Sequence, residues 1–586
     1  MYFIPVAVNH GFESSYRRAN LIIPYVKNSI ADCLNQWLNN EVFAPYTAII
    51  GPSMSGKTRL IMELAQSEDV IYSCFRPPGS KSTPPRSSSV ANFLAVVDTK
   101  MELKCRAFII AMLKQTLALK CDQKCDQDSK KPFTTILDPA HDTFWGAVVV
   151  ESNRLLLSPS PEEKLTDAEW CKQTVSQLDV NLRSHLHGKY LLCAFDEARE
   201  LAKIRDSAGV SVFRYLRGAI TMLPRRCNIF CLFIDTTPEI SNFLPQARNE
   251  PSLRQVNHSH ELCRPITKLH TFDSFAKTQP PASLVEMVDL DRLLCYGLPY
   301  FGAVYHNKYK RSEEVISLAK AKLLCFDLGS TRPSGFKWSF VQALAVLGPL
   351  VRPTLNSLSL SSELVANHCA QCLYVSDDRS FICSGYGSSY LFSEAAIKIL
   401  EEKETNASDI LGYLVDCMRN GSVSKGDGGE LTAKLIMILA LIATNRRINN
   451  QDDNNQDFRT KIIKVQDFLE TLVGESVDGK QKFFGDISDA NWNKLLRGSL
   501  FFNHFINLQY TPNESDLLNM MYRSAFGFTK DVEKSFDIVG PIYFDEQESS
   551  EQGGIDASTR KRTADDFNEP NVRKKIKAER SEGILT

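Results

Sequence analysis

The sequence predicts an α/β chain, a parallel sheet sandwiched by helices, followed by a mostly helical region with a winged-helix-like hairpin and a disordered tail. Three stretches carry that expectation. Tyr46–Ile50 is a β-rich apolar run that leads through a glycine-bounded loop into an amphipathic helical run, Arg59–Gln66. Lys189–Asp196 is a continuous apolar run that ends in acid, and Asn228–Asp235 repeats the pattern one helical segment later. Runs that are apolar on both faces are expected of strands covered by helices on both sides. Strand, crossover helix and strand make the unit from which a parallel sheet is built.

The loop decides the chemistry. Gly51-Pro52-Ser53-Met54-Ser55-Gly56-Lys57-Thr58 fits G-x-x-x-x-G-K-[ST], the phosphate-binding P-loop, in the strand-to-helix setting that the motif requires. Its two glycines allow the backbone N–H groups to turn inward, and the helix N-terminus adds positive potential, so a phosphate can sit there. Lys57 then reaches the β- and γ-phosphates, and the Thr58 hydroxyl ligates Mg²⁺. ATP with Mg²⁺ is the expected ligand pair.

Asp196-Glu197 closes the second strand. On the carboxyl edge of a parallel sheet Asp196 holds Mg²⁺, directly or through water, and Glu197 polarises the attacking water as general base. Asp235 and Thr236 reach the same edge, where Thr236 is placed to sense the γ-phosphate. Thr237, before Pro238-Glu239, has the alternative role of capping the next helix. For a transition-state arginine the candidates are Arg248 and Arg254 beyond this strand and Arg225 and Arg226 before it.

Composition sets the frame. A chain of 586 residues is too long for one core and should hold three or four domains. Its 43% hydrophobic and 10% aromatic content is that of an ordinary soluble globular protein. A net charge of −1 gives no global field for nucleic acid or membrane, so basic surface must be local. The start, Met1-Tyr-Phe-Ile-Pro-Val-Ala-Val, lacks the positive n-region of a signal peptide. The 16 cysteines are scattered, mostly within apolar runs, and predict reduced thiols in an intracellular compartment. The pairs Cys121/Cys125 and Cys369/Cys372 have no second pair at zinc spacing. Leu435–Ala443, the longest apolar run, falls well short of a membrane span.

In order, the chain reads as a leader helix (1–40), a nucleotide-binding core (41–275) and a helical lid with a winged-helix-like module (276–400). A helical region (401–475) and a truncated piece (476–545) follow, before the disordered tail (546–586). The Pro77–Ser89 stretch is an exposed loop and Asn449–Asp457 a flexible one. Gln371–Cys383 reads as two short strands around a polar Ser-Asp-Asp-Arg turn. A lid with such a hairpin binds a nucleic-acid or a protein partner.

The order of these pieces resembles that of P-loop NTPases of the AAA+/STAND type in fungal Crinkler-like effector proteins. The residues that carry the likeness are Gly51–Thr58, Asp196-Glu197, Cys295–Gly302, Ser384–Ser388 with Ser393–Ala396, Gly429-Glu430 and Phe502–Phe505. The resemblance implies an ATPase acting as a nucleotide switch or motor in a nuclear or effector role, with a restriction-endonuclease-like end. In such an end an Asp on one strand and a (Glu/Gln)-x-Lys on the next hold a metal beside a phosphodiester. Here Phe536–Tyr543 would be the first strand, with Asp537 as its acid, and no matching Lys strand follows. The alternatives are a nucleotide-loaded scaffold without turnover and a DNA-cleaving nuclease.

The tail carries Arg560-Lys561-Arg562 and, ten residues on, Arg573-Lys574-Lys575-Ile576-Lys577. Two basic clusters with this spacer, in a segment too polar to fold, form a bipartite signal for a nuclear import receptor. The expected location is therefore the nucleus, of the producing cell or a host, and otherwise the cytoplasm. No membrane partner is expected.

Overall fold

The computed structural model describes residues 15–80, 83–123, 134–135, 141–157, 162–236, 261–306, 312–326, 336–377, 380–402, 405, 407–449, 462–477, 487–529 and 537–544. The candidate residues Arg248, Arg254, Thr237 and Cys125 and the tail 546–586 lie outside this set. The chain divides into two compact units, Met1–Leu435 with Asn503–Val539, and Ile436–Phe502 with Gly540–Thr586.

The first unit opens with helix α1 (Ala19–Leu38), which buries Ile22, Val26, Ile30, Cys33 and Trp37, the three- and four-residue spacing of one helical face. Next come β1 (Tyr46–Ile50), α2 (Lys57–Leu64), β2 (Asp69–Cys74), α3 (Ser88–Ala95), α4 (Met101–Gln123), α5 (His141–Leu157) and α6 (Ala168–Arg183). After these are β3 (Leu191–Asp196), α7 (Arg199–Lys203), α8 (Val212–Ile220) and β4 (Ile229–Asp235). The four strands form one parallel sheet in the order β1-β4-β3-β2. All their residues are buried, which is why the sequence runs are apolar without alternation. Beyond β1 the parallel pattern continues in two bridges, Val42 to Glu261 and Ile49 to Ile266. The mixed α/β architecture with a parallel sheet is thus present.

The sheet's core is aromatic. Phe195 stacks on Phe233 at 5.2 Å, Phe213 meets Phe233 edge-on at 4.8 Å, and Phe108 stacks on Trp145 at 6.1 Å. The Trp145 indole donates to the Tyr72 carbonyl at 3.0 Å, so the ring is buried without stranding its N–H. Two covering helices start where a side chain takes up orphan amides. Asp167 accepts from the Glu169 and Trp170 N–H groups before α6, and Ser211 accepts from that of Arg214 before α8.

Helices α9 (Pro299–His306), α10 (Ser312–Leu324), α11 (Phe340–Val351) and α12 (Leu358–Asn367) follow. Strands β5 (Gln371–Val375) and β6 (Ile382–Gly385) pair antiparallel around the polar turn. Helix α13 (Tyr390–Glu401) is buried along nearly its whole length, and α14 (Ala407–Arg419) and α15 (Gly428–Asn449) come after it.

The second unit contains β7 (Ile463–Lys464), α16 (Val465–Val473), α17 (Asp489–Arg497) and β8 (Ser499–Leu500), with β7 and β8 antiparallel. Trp492 and Leu496 of α17 pack there with Val477.

The chain then completes the first unit with β9 (His504–Leu508), α18 (Glu514–Tyr522), β10 (Ala525–Thr529) and β11 (Ile538–Val539). Strands β9 and β10 are parallel, and Asn513 and Asp516 form a reciprocal capping box at the start of α18. Asp537 precedes β11, which is only a two-residue edge strand antiparallel to β10. Among the described residues, no three His, Cys, Asp or Glu side chains group to hold a metal, and no helix is long and apolar enough to cross a membrane. The described cysteines are free thiols.

Candidate functional site

The carboxyl edge of the parallel sheet gathers the residues singled out in the sequence. Loop 51–56 joins β1 to α2 and turns through two left-handed residues, Met54 at φ 70° and Gly56 at φ 88°. Glycine suits the second, because an L side chain is strained at that φ, although a Cβ there would meet Thr271 and Pro299 only at ordinary contact distance. Thr271 also braces the loop, its hydroxyl donating to the Ser55 carbonyl at 2.7 Å.

Lys57 is only 9% exposed and donates to the carbonyls of Gly51 and Pro52, at 2.7 and 2.8 Å. Burial lowers its pKa, while Asp196, Glu197 and Asp235 pull the other way. The ammonium is therefore held inside the loop by acceptors that a stronger anion can replace.

Thr58 and Asp196 are 138 residues apart in sequence, yet the Thr58 hydroxyl donates to Asp196 Oδ2 at 3.0 Å. The Tyr72 hydroxyl donates to the same oxygen at 2.6 Å, and the Glu197 amide donates to Oδ1 at 2.9 Å. Glu197 itself sits in the left-handed region at φ 54°, a strained conformation for a non-glycine residue. Its carboxylate lies 3.7 Å from Arg76 and 3.1 Å from Arg199. Burial raises its pKa, with Asp196 and Asp235 adding to the rise and the two arginines opposing it.

Thr236 is at the same edge. Arg199 donates to its hydroxyl at 3.1 Å, while Asp235 accepts from the amides of Thr236 and Arg199, both at 2.7 Å. Burial works against the Arg199 charge, but Asp235, Glu197 and Glu200 outweigh it and its pKa is raised.

A cavity of about 520 Å³ is lined by Ser53, Met54, Gly56, Lys57, Thr58, Asp196, Glu197 and Thr236. Its lining also includes the more apolar Tyr16, Phe275, Pro299, Tyr300 and Ala303. Two buried hydroxyls, Tyr16 Oη and Ser55 Oγ, have no hydrogen-bond partner among the described residues.

Residues 20–269 match the family model described as Domain of unknown function (DUF8735). Residues 339–551 match that of a second Domain of unknown function (DUF8736). No curated protein and no solved structure matches the chain. The first match contains Lys57, Thr58, Asp196, Glu197 and Thr236, whereas Thr271, Phe275, Pro299 and Tyr300 lie between the two.

The structure brings together Gly51–Thr58, Asp196, Glu197 and Thr236. It does not bring Arg225 there: that guanidinium covers the Trp37 ring at 3.6 Å and donates to the Trp37 carbonyl. Sequence reasoning missed Arg76, Arg199, Tyr72 and Thr271. The first two had a signal, since Arg76 follows β2 at the sheet's carboxyl edge and Arg199 lies two residues after Glu197. Tyr72 had none, because a tyrosine inside an apolar strand reads as core.

Proposed function

We propose that this edge binds ATP with Mg²⁺ and hydrolyses it, as a P-loop NTPase of the AAA+/STAND type. The observation that carries the reading is the Thr58–Asp196 contact, which sets two oxygen ligands of the right chemistry beside a glycine-bounded loop at a helix N-terminus. Thr58 and Asp196 are the residues that would hold the metal. Mg²⁺, when bound, neutralises charge on the β- and γ-phosphate oxygens. Lys57 exchanges its two carbonyl acceptors for phosphate oxygens, and the inward N–H groups of the loop hold the rest of the chain of phosphates. The rings of Tyr16, Phe275, Pro299 and Tyr300 in the lining suit a base, and Tyr16 Oη still has its hydrogen bond to make.

Glu197 takes a proton from the attacking water, a task suited to a carboxylate whose pKa burial has raised. Thr236 and Arg199 stand where the terminal phosphate would be sensed. A second reading, a nucleotide-loaded scaffold, is favoured by one observation: Glu197 already lies between Arg76 and Arg199, and a carboxylate held there is unavailable to water. The fungal Crinkler-like relationship, partner binding by the lid and its hairpin, and nuclear import through the tail remain parts of this proposal, resting on sequence.

Calorimetric titration with ATP and Mg²⁺ tests it. Lys57→Ala should abolish binding, because the phosphates lose the one lysine ammonium of the loop. Glu197→Gln should bind ATP yet turn it over ~10²-fold more slowly. Equal inertness of wild type and Glu197→Gln with ATP bound would select the scaffold, and unchanged ATP affinity in Lys57→Ala would remove both readings.

A further inference from the structure

Two short motifs, Ser384–Ser388 and Phe502–Phe505, take no part in the nucleotide site, and the structure joins them. Ser388 Oγ lies 2.8 Å from His504 Nε2, although 116 residues separate the two. On the other side of the ring His504 Nδ1 lies 2.8 Å from Asn503 Oδ1. The Asn503 amide nitrogen donates to the Tyr390 carbonyl at 3.2 Å, which fixes which way the amide faces. An amide oxygen only accepts, so Nδ1 must carry the imidazole proton and Nε2 must offer its lone pair to Ser388. The hydroxyl therefore donates to a base of fixed tautomer and orientation.

We propose that Ser388, His504 and Asn503 form a second reactive centre in which Ser388 Oγ is a nucleophile toward carboxylic esters. A nucleophile within hydrogen-bond reach of a base, with the base oriented by a third group, is the arrangement that activates a hydroxyl. His504 is completely buried, and burial first, then Arg352 and Arg523, holds its pKa well below the ordinary histidine range. It stays neutral, the form a base needs.

Ser388 is half-buried and so remains in reach of solvent, immediately before α13. Ser389, the N-cap of that helix, gives its side chain no capping bond and turns its hydroxyl to the Tyr296 carbonyl at 3.3 Å. The first-turn N–H groups of this twelve-residue helix are thus left without a side-chain cap, next to the serine, where an oxyanion can be held. Gly387 is pinned as well, since a Cβ there would collide with the Phe272 ring. Arg523 donates to the Ser388 carbonyl at 3.4 Å and is ion-paired with Asp273.

In the first step Ser388 Oγ bonds to the carbonyl carbon, its proton passes to His504 Nε2, and the carbonyl π pair moves to oxygen. Collapse breaks the bond to the alkoxy group, which leaves as an alcohol with the Nε2 proton. Water then repeats both steps on the acyl-serine and releases the acid. Asn503 is a positioning residue, acting through the imidazole.

The test is covalent labelling of the full chain with a fluorophosphonate, followed by mass-spectrometric location of the adduct, together with p-nitrophenyl acetate hydrolysis. The expected adduct is on Ser388, absent in Ser388→Ala. Ester turnover should fall at least tenfold in that variant. Asn503→Leu should slow labelling and shift its pH profile, which a purely structural role would not do. Folded wild type without an adduct on Ser388, or with ester turnover equal to that of folded Ser388→Ala, overturns the proposal. Mapping the wild-type adduct decides the matter even if the variants fail to fold.

Discussion

The Tyr72 phenol donates to Asp196 Oδ2 at 2.6 Å, between neighbouring parallel strands, and so holds the carboxylate that also accepts from Thr58. Burial, with Asp196 beside it, raises the Tyr72 pKa well above its ordinary value, so the phenol remains a donor. Tyr72→Phe removes that donor while Thr58 and the Glu197 amide remain. The expected cost is about 1–2 kcal/mol of stability, read from urea unfolding. The proposed magnesium-dependent ATP binding should survive, because Thr58 and Asp196 are untouched. Unchanged stability would mean that the bond holds nothing in solution.

Thr271 tests the loop itself. Thr271→Val keeps the shape of the side chain and loses only the bond to the Ser55 carbonyl. About 1 kcal/mol of preorganisation should go with it, weakening ATP affinity roughly fivefold. Turnover at saturating ATP should change little, since no reacting group moves. A fall in turnover with unchanged affinity would place Thr271 in the chemistry instead.

The Glu197 carboxyl gives a pH signature. Its folded pKa is raised, so the native state binds this proton more readily than the unfolded chain does. The stability of the folded protein therefore carries a contribution that is full below the unfolded value of about 4.3 and lost as pH rises through the folded value. Against Glu197→Gln, which has no such proton, the nucleotide-free wild type should lose relative stability upward from about pH 4.3. A difference that runs the other way would mean that Arg76 and Arg199 dominate the site.

Lys574→Ala with Lys575→Ala is the test of the tail. A reporter fused to residues 546–586 should accumulate in nuclei, and the double variant should abolish that accumulation while ATP binding by the full protein stays unchanged. A reporter that remains nuclear would leave the tail as a solvated basic segment.

The parallel sheet was legible because burial on both faces erases alternation, leaving apolar runs that end in Asp196 and Asp235 at one edge. The turn of Gly51–Thr58 was legible as a strand-to-helix loop because its glycine spacing encodes a backbone shape. What could not be read was which distant side chains complete the edge. Tyr72 and Thr271 reach it through strand register and a chain reversal, neither of which leaves a local pattern. Arg199 follows β3, so the flanks of β4 hold no sign that it reaches Glu197 and Thr236. The pairing of β9 (His504–Leu508) with β10 (Ala525–Thr529) left no signal either, because neither run is bounded by the glycine loop or acidic end that marks β1 and β3.

The first unit is not contiguous in sequence, since Asn503–Val539 belong to it. A chain still being synthesised therefore presents the whole Gly51–Thr58 loop and both acidic strand ends long before its own unit is complete. At ordinary elongation rates the roughly 100 residues between Leu435 and Val539 take roughly 5–20 s to appear. Throughout that interval the buried faces that await β9 and β10 are uncovered, and His504 has not yet reached Ser388. A nascent chain stalled after Leu435 would hold every residue assigned here to nucleotide binding and still be a client for chaperones.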